Sequence, residues 1–318
     1  MQDQIIHFLK KSDGYLSGEE ISRQLNISRA GIWKYMQELR NDGYDIVAVP
    51  HLGYRLVSSP DKLIPREIQF DLLAKILGKK IISYESVNST MDIAFRLGFE
   101  GAEEGTVVCA EAQAKGRGRL GRNWTSPKGK GIYFSVILRP RLSPSEVAQL
   151  TLLAAVAVSE AIQKVAGITA MIKWPNDLIL NGKKLAGILT EMSADMDRVR
   201  FVVIGIGINV NTPASLLPPQ ATSLKQEAGR PFSRVALLQE VLMSVERWYQ
   251  RLKAEGFSPI TQRWKELSLT LGKRIRIVDP NGDVEGQAMD LDKDGGLIIR
   301  RDSGMIVKRL TGDVVQVK

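Results

Sequence analysis

The sequence predicts an α+β protein, and three observations support that prediction. Residues 1–60 show helical periodicity and then a hairpin pattern, residues 65–270 mix β-rich runs with amphipathic helices, and residues 271–318 contain short β-rich runs between turns. Antiparallel hairpin patterns in the middle segment favour α+β over a doubly wound sheet. We therefore expect three domains with those bounds, in a chain whose composition, 44% hydrophobic and 25% charged, is typical of globular proteins.

Residues 1–60 have the spacing of a winged helix-turn-helix. After a first amphipathic helix, Ser17–Glu20 is a capping box that starts a short helix, and Asn26 suits the turn that follows. Ser28 caps a second helix predicted over Arg29–Asn41, and residues 44–57 predict the two strands of a wing. By analogy with winged helices, the side chains expected near DNA are Ser28, Arg29, Trp33, Lys34 and Arg55. A place in the core is the alternative for Trp33.

The middle segment, residues 65–270, predicts a sheet with inserted helices. Its strands are predicted over Lys80–Glu85, Thr106–Glu111, Ile132–Leu138 and Phe201–Val210. Its helices are predicted from Asn88 to Gly98, from Ser143 to about Val165 and from Val235 to Ala254. A hairpin is predicted from Asp177–Leu180 and Lys184–Met192, because the Asn181-Gly182 pair between them suits a type I′ turn.

The tail, residues 271–318, predicts a small SH3-like β-barrel. Gly- and Asp-containing turns separate short runs of alternating hydrophobicity, which is the pattern of a small all-β domain. The five predicted strands are Arg274–Val278, Val284–Leu291, Leu297–Arg300, Met305–Leu310 and Val314–Val317.

The residue counts exclude several kinds of chemistry. The chain has two histidines, His7 and His51, so histidine-based nucleophilic pairs and His-rich zinc sites are excluded beyond residue 60. Cys109 is the single cysteine and forms no internal disulfide. The longest apolar stretch, Val147–Ser159, is shorter than the roughly 20 residues of a membrane span. We expect a cytoplasmic protein with no membrane span and no metal site built from its own side chains.

Positive charge is concentrated in one loop. Residues 1–60 carry no net charge, whereas Lys115–Lys130 contains six basic residues and no acidic one, within a chain of net charge +9. The run Gly116–Gly121 matches the dinucleotide pattern G-x-G-x-x-G, but no amphipathic helix follows it and no acidic residue stands about 20 positions later. A dinucleotide site is therefore rejected. Arginines between glycines instead indicate capture of carboxylate or phosphate oxygens close to the backbone.

Four motifs, taken together and in order, identify a resemblance. The run GRGRLGRNW at residues 116–124, KWPND at 173–177, KLAG at 184–187 and GIGIN at 205–209 resemble the biotin protein ligases. With the N-terminal helix-turn-helix, the chain resembles the bifunctional form, a ligase and biotin operon repressor. The resemblance implies a central catalytic domain of class II synthetase and biotin ligase type.

The resemblance also implies the reaction and the partners. Biotin and ATP, with Mg²⁺, give biotinyl-5′-AMP, and a lysine of a biotin carboxyl carrier protein then displaces AMP. The adenylate also promotes a homodimer that binds operator DNA. Two alternatives remain open: a lipoate or octanoate ligase on a similar sheet, and a repressor that senses biotin without chemistry.

Site residues follow from the motifs by the same resemblance. The residues implied in biotin binding are Ser89, Thr90, Met91, Gln113, Gly116, Arg117, Gly118, Arg119, Lys184 and Gly187. Those implied in ATP or adenylate binding are Arg119, Arg122, Trp124, Lys173, Asn176 and Asn209. The catalytic residues implied are Arg119, Lys184 and Asp177, and a carboxylate at Asp177 could hold or deprotonate the incoming lysine. Structural roles, such as helix cap, turn or core residues, are the alternative for the uncharged residues, for Asp177, and for Arg117 and Arg119 in the loop.

Overall fold

A computed structural model describes residues 1–279 and 282–316 of the chain. Its backbone divides into two compact units, Met1–Lys62 and Leu63–Lys318. Each unit has a hydrophobic core of its own, and each is considered by itself below.

The first unit is a winged helix-turn-helix, as predicted. Its elements are α1 (Gln2–Lys11), α2 (Gly18–Leu25), α3 (Arg29–Asn41), β1 (Asp45–Val49) and β2 (Gly53–Ser58). The Ser17 and Ser28 hydroxyls accept backbone N–H groups in the first turns of α2 and α3, and Asn26 ends α2 with a left-handed backbone. Gly53 begins β2 at φ +107°, and a Cβ there would lie 2.0 Å from the Leu16 carbonyl oxygen, so only glycine fits.

The second unit is built on a seven-stranded mixed sheet. Its strands are β3 (Ile81–Tyr84), β4 (Val107–Ala110), β5 (Ile132–Leu138), β6 (Met171–Lys173), β7 (Asp177–Leu180), β8 (Lys183–Ala194) and β9 (Val199–Ile208). The order is β3-β4-β5-β9-β8-β7-β6, with β3 and β4 parallel and every other pair antiparallel. The α+β prediction is therefore confirmed. Asn181 and Gly182 both have positive φ, as a type I′ turn requires.

Helices cover both faces of this sheet. They are α4 (Pro65–Ile68), α5 (Thr90–Phe99), α6 (Ala148–Ala166), α7 (Leu224–Ala228), α8 (Arg234–Glu255) and α9 (Ser258–Glu266). The α6 helix packs against α8 and α9, while α5 packs against β4, β5 and β9. Strand β6 and helices α4, α7 and α9 were not predicted from sequence. All are nine residues or shorter, and short segments leave little periodicity to detect.

Among the described residues, one helix is long and apolar enough to cross a membrane. It runs over Pro144–Ala166, and 72% of its most apolar window is buried inside the protein. Twelve residues of α6 are buried, on all sides of the helix, which is typical of a core helix.

The second unit ends in a five-stranded antiparallel sheet. Its strands are β10 (Arg274–Val278), β11 (Val284–Leu291), β12 (Leu297–Arg300), β13 (Ile306–Arg309) and β14 (Asp313–Gln316), in the order β13-β12-β11-β10-β14. The first three match the predicted bounds, and the SH3-like prediction is confirmed. Val317, predicted in the last strand, lies outside the described residues.

Candidate functional site

A cavity of about 310 Å³ lies over the face of the sheet that α5 covers. Along β9, Ile204 and Ile206 belong to the core with α6, while Gly205 and Gly207 face the cavity and form its floor. A Cβ on Gly207 would lie 2.5 Å from two atoms of the Trp124 indole, so that ring rests directly on the strand. The glycines thus make room for Trp124 and for a ligand.

One end of the cavity offers neutral hydrogen-bonding groups. The Gln113 side-chain oxygen accepts the Thr90 backbone N–H at 2.9 Å and the Thr90 hydroxyl at 3.2 Å. Ser89 occupies the N-cap position of α5, but its side chain makes no capping hydrogen bond. Its hydroxyl is buried and has no partner among the described residues. Because a buried hydroxyl without a hydrogen bond costs free energy, the Ser89 hydroxyl indicates a ligand atom that bonds to it.

Two cations, Lys184 and Arg119, line the same cavity. Lys184 Nζ lies 2.6 Å from Asp177 Oδ1 and 5.4 Å from the centroid of the Trp124 ring. Arg119 Nη1 donates to Asn176 Oδ1 and to the Gly312 carbonyl oxygen, each at 3.2 Å. Burial lowers the pKa of Arg119 below its ordinary value, and the charges of the nearby aspartates oppose that shift. Because an arginine guanidinium keeps its charge in proteins, Arg119 acts as a fixed cation.

The other arginines of the loop are held by carboxylates. Arg117 Nη2 lies 3.0 Å from Asp92 Oδ1 and 2.9 Å from Glu191 Oε2. Arg122 pairs with Asp313, which comes from β14 of the C-terminal sheet. Part of the loop's excess positive charge is therefore neutralised by acidic side chains distant in sequence.

Further unpaired polar atoms belong to cavity residues whose motifs imply nucleotide binding. The indole N–H of Trp124 and the side-chain oxygen of Asn209 are both buried and have no hydrogen-bond partner among the described residues. Asn176 differs, because its amide nitrogen donates to the Ile188 carbonyl oxygen at 2.8 Å. A donor and an acceptor left unpaired in one cavity indicate a polar ligand that supplies the missing partners.

Most of the residues singled out from sequence converge on this cavity. Those that line it are Ser89, Thr90, Met91, Gln113, Arg117, Gly118, Arg119, Arg122, Trp124, Asn176, Asp177, Lys184, Gly187 and Asn209. Gly116 and Lys173 are not among the lining residues. A Cβ on Gly116 would lie 2.3 Å from the Trp124 carbonyl oxygen, so its close packing shapes the loop. Lys173 is the last residue of the edge strand β6.

Sequence reasoning missed two parts of the lining. Asp313 enters from the C-terminal sheet, and Leu217, Pro218, Gln220 and Ala221 enter from the segment before α7. Neither belongs to a recognised motif, and both are brought to the cavity only by folding. The C-terminal Gly312-Asp313 pair is indistinguishable in sequence from an ordinary turn.

The first unit presents the residues expected near DNA as follows. Ser28 caps α3, Arg29 pairs with Glu19 at 3.0 Å, and Lys34 lies 4.0 Å from Glu38. The guanidinium of Arg55 lies 5.1 Å from the centre of the Tyr15 ring. Trp33 is 59% exposed within its unit, so it is not a core residue there.

Three family models match successive parts of the chain. Residues 83–209 match the Biotin/lipoate A/B protein ligase family, residues 2–55 match a helix-turn-helix domain, and residues 270–315 match the biotin protein ligase C-terminal domain. The chain is 43% identical to the bifunctional ligase/repressor BirA of Bacillus subtilis, over 94% of this chain and 93% of that protein. It is 30% identical to the protein of the same name from Escherichia coli K12, over 90% and 88%.

A solved structure shows the same fold. The biotin protein ligase of Aquifex aeolicus, in complex with biotin and ATP, aligns with a TM-score of 0.65 and 32% identity, covering 75% of this chain and all of that one. These relatives and the three family matches in chain order show that the chain belongs to the biotin protein ligase family, in its bifunctional ligase/repressor form.

Proposed function

We propose that this chain joins biotin to ATP, forming biotinyl-5′-AMP and pyrophosphate, and transfers the biotinyl group to a lysine of a biotin carboxyl carrier protein. The observation that carries the proposal is one cavity lined by three kinds of group. Ser89, Thr90 and Gln113 offer neutral hydrogen bonds, Arg119 and Lys184 supply positive charge, and Trp124, Asn176 and Asn209 offer a flat ring and amide groups.

The first step needs positive charge more than it needs proton transfer. The biotin carboxylate must approach the α-phosphate of ATP, and two unit charges at 4 Å repel by ~1 kcal/mol in water and several times more inside a protein. As cations that line the cavity, Lys184 and Arg119 would offset that repulsion and stabilise the charge that develops on the phosphate. Biotin's neutral ring system would occupy the end formed by Ser89, Thr90 and Gln113.

The nucleotide would lie against Trp124, whose flat ring offers a stacking surface for adenine. Among the described residues, no group of three or more His, Cys, Asp or Glu side chains is arranged to hold a metal ion. We expect Mg²⁺ to arrive on the ATP phosphates, because this ion keeps most of its waters and needs few carboxylate ligands from a protein.

The second step requires an uncharged lysine amine. An ammonium group has no free electron pair, so the incoming lysine must lose a proton before it attacks the adenylate. Asp177 lines the cavity and already binds a lysine ammonium, that of Lys184, at 2.6 Å. We assign Asp177 to hold and deprotonate the carrier lysine.

Ligand binding would also reorganise the basic loop. Arg117 and Arg122 are paired with the carboxylates of Asp92, Glu191 and Asp313. The adenylate phosphate would compete for these arginines and order Lys115–Lys130 over the cavity. Greater protease resistance of this loop in the presence of biotinyl-AMP is the expected result.

We further propose that the first unit binds operator DNA as part of a homodimer. Residues 1–60 carry no net charge, so one copy gains little from attraction to phosphates. A symmetric dimer formed when adenylate is bound would present two α3 helices to a palindromic site. Biotin with ATP should then strengthen operator binding, and unbiotinylated carrier should weaken it, because the two equilibria are linked.

We propose three domains, at residues 1–60, 65–270 and 271–318, in a cytoplasmic protein.

The decisive test is biotin-dependent exchange of pyrophosphate into ATP, run beside operator binding with and without biotin and ATP. Exchange with lipoate or octanoate in place of biotin would favour a lipoate-type ligase. Biotin binding without exchange would favour a sensor without chemistry, and operator affinity insensitive to biotin and ATP would exclude the repressor mechanism.

A further inference from the structure

A chain of hydrogen bonds runs beneath the wall of the cavity and ends at Ser126. The Thr90 backbone N–H donates to Gln113 Oε1 at 2.9 Å, Gln113 Nε2 donates to Ser126 Oγ at 3.0 Å, and Ser126 Oγ donates to the Trp124 carbonyl oxygen at 3.1 Å. Ser126 is only 7% exposed and is not among the residues that line the cavity. Any effect it has on a ligand must therefore pass through its neighbours, which include Gln113, Trp124 and Gly116.

The donor-to-acceptor direction of these linked hydrogen bonds is fixed at both ends. A backbone N–H can only donate, so the Gln113 atom that faces Thr90 must be the amide oxygen. A carbonyl oxygen can only accept, so the Ser126 hydroxyl must give its proton to Trp124 and keep a lone pair for Gln113. The amide of Gln113 is thus held in one of its two flipped orientations, with one N–H donated to Ser126, and Gln113 itself lines the cavity.

We propose that Ser126 is a positioning residue for biotin, which together with the Thr90 backbone N–H holds the Gln113 amide so that an N–H faces the ligand. This inference rests on the proposed function, since it takes the neutral end of the cavity as the biotin site. A donor held there requires an acceptor atom on the bound molecule, and a flipped amide would present an oxygen to that acceptor instead. Ser126 therefore acts on biotin recognition while touching neither biotin nor the nucleotide.

The test is Ser126→Ala in the full-length protein, measured by biotin-dependent pyrophosphate exchange. The loss of one hydrogen bond in the chain should raise the KM for biotin by about tenfold. The KM for ATP and the kcat at saturating biotin should change by less than about twofold, because phosphate and carboxylate contacts are made by other residues. An unchanged KM for biotin would overturn the proposal.

A double-mutant cycle distinguishes positioning from a general structural effect. In a Gln113→Ala background, Ser126→Ala should raise the KM for biotin no further, since the amide it orients is gone. Additive effects would overturn the proposal. Ser159→Ala is the matched control, because Ser159 is a buried serine that donates to the Ala170 carbonyl oxygen within the core. An equal rise in the KM for biotin in this control would also overturn it.

A ligand-free measurement separates failure of this inference from failure of the proposed function. The side-chain NH₂ protons of Gln113, observed by NMR, should exchange with solvent slowly in the wild-type protein and faster in Ser126→Ala. Equal exchange rates would overturn the hydrogen-bond chain whatever the ligand is. The wild-type protein could show slow proton exchange at Gln113 and yet neither bind biotin nor support biotin-dependent exchange of pyrophosphate into ATP. That result would overturn the assignment to biotin and the proposed function, while the orientation of Gln113 would stand.

Discussion

Replacing Gly207 by alanine should displace Trp124 from the floor of the cavity. The backbone of Gly207 is not left-handed, so alanine introduces no backbone strain, and its effect comes from the new methyl group. That methyl would lie 2.5 Å from the Trp124 Cε2 and Nε1 atoms, whereas carbon atoms in contact prefer about 3.5 to 4.0 Å. The rigid indole must therefore move by about 1 Å or more as a unit.

The magnitude follows from the cost of overpacking. Inserting a methyl group into a packed site costs ~1–3 kcal/mol, which corresponds to about 5- to 150-fold in an equilibrium constant. With the nucleotide bound against Trp124, the ring must return to its place on Gly207, and the cost of that return reduces the free energy of ATP binding by the same amount. The KM for ATP in biotin-dependent pyrophosphate exchange should therefore rise within that range, while the thermal midpoint of unfolding falls only slightly because the loop can yield.

Gly205→Ala is the comparison variant. A Cβ there would lie 2.5 Å from the sulfur of Met91, a flexible thioether that can rotate away, so a smaller rise is expected. In a Trp124→Ala background, Gly207→Ala should have no further effect on the KM for ATP. If Gly207→Ala leaves the KM for ATP at the wild-type value, Trp124 is not displaced by the new methyl group. If Gly207→Ala raises the KM for ATP equally with Trp124 and with alanine at that position, the effect does not pass through the ring. Either result would refute this prediction.

Three further outcomes are expected. Asp177→Asn should slow transfer to the carrier lysine while sparing adenylation, and equal loss of both steps would assign Asp177 to the nucleotide. Glu111→Gln removes the carboxylate that pairs with the buried guanidinium of Arg234 at 2.7 Å and should lower the free energy of unfolding by ~1–3 kcal/mol, whereas Glu85→Gln at an exposed pair should cost under ~1 kcal/mol, both measured by urea denaturation. Burial raises the pKa of Cys109 from 9.0 to about 12, so the thiol of the folded protein should resist alkylation by iodoacetamide at pH 8. Because only the unfolded thiol ionises between pH 9 and 12, the free energy of unfolding should fall as the pH rises through that range. Rapid alkylation of the folded protein would contradict this.

Local signals were sufficient for much of the fold. Ser28 begins α3, Asn181-Gly182 joins β7 to β8, and β10, β11 and β12 have their predicted bounds. Caps and tight turns depend on residues within four positions of one another, so their physics is visible in a short window of sequence. Short elements such as β6 and α7 lack such a window and were missed.

By itself, the sequence determined which residue types are available for chemistry. It established a chain with no histidine after His51, a basic glycine-containing loop and four motifs in a recognisable order. These features indicate phosphate and carboxylate chemistry based on fixed cations, and none of them depends on how the chain folds. The motifs alone did not reveal which polar atoms remain without a partner, because that depends on what packs around them.

Only the tertiary structure decided how those residues meet. Folding places Trp124 on Gly207, pairs Arg122 with Asp313, and orients Gln113 through Ser126. Two of these contacts join positions more than 80 residues apart, and all three depend on directions of side chains that no local pattern encodes. Charge attraction and close packing act through space, so the same arginines and glycines become a binding site only after the sheets have brought their partners together.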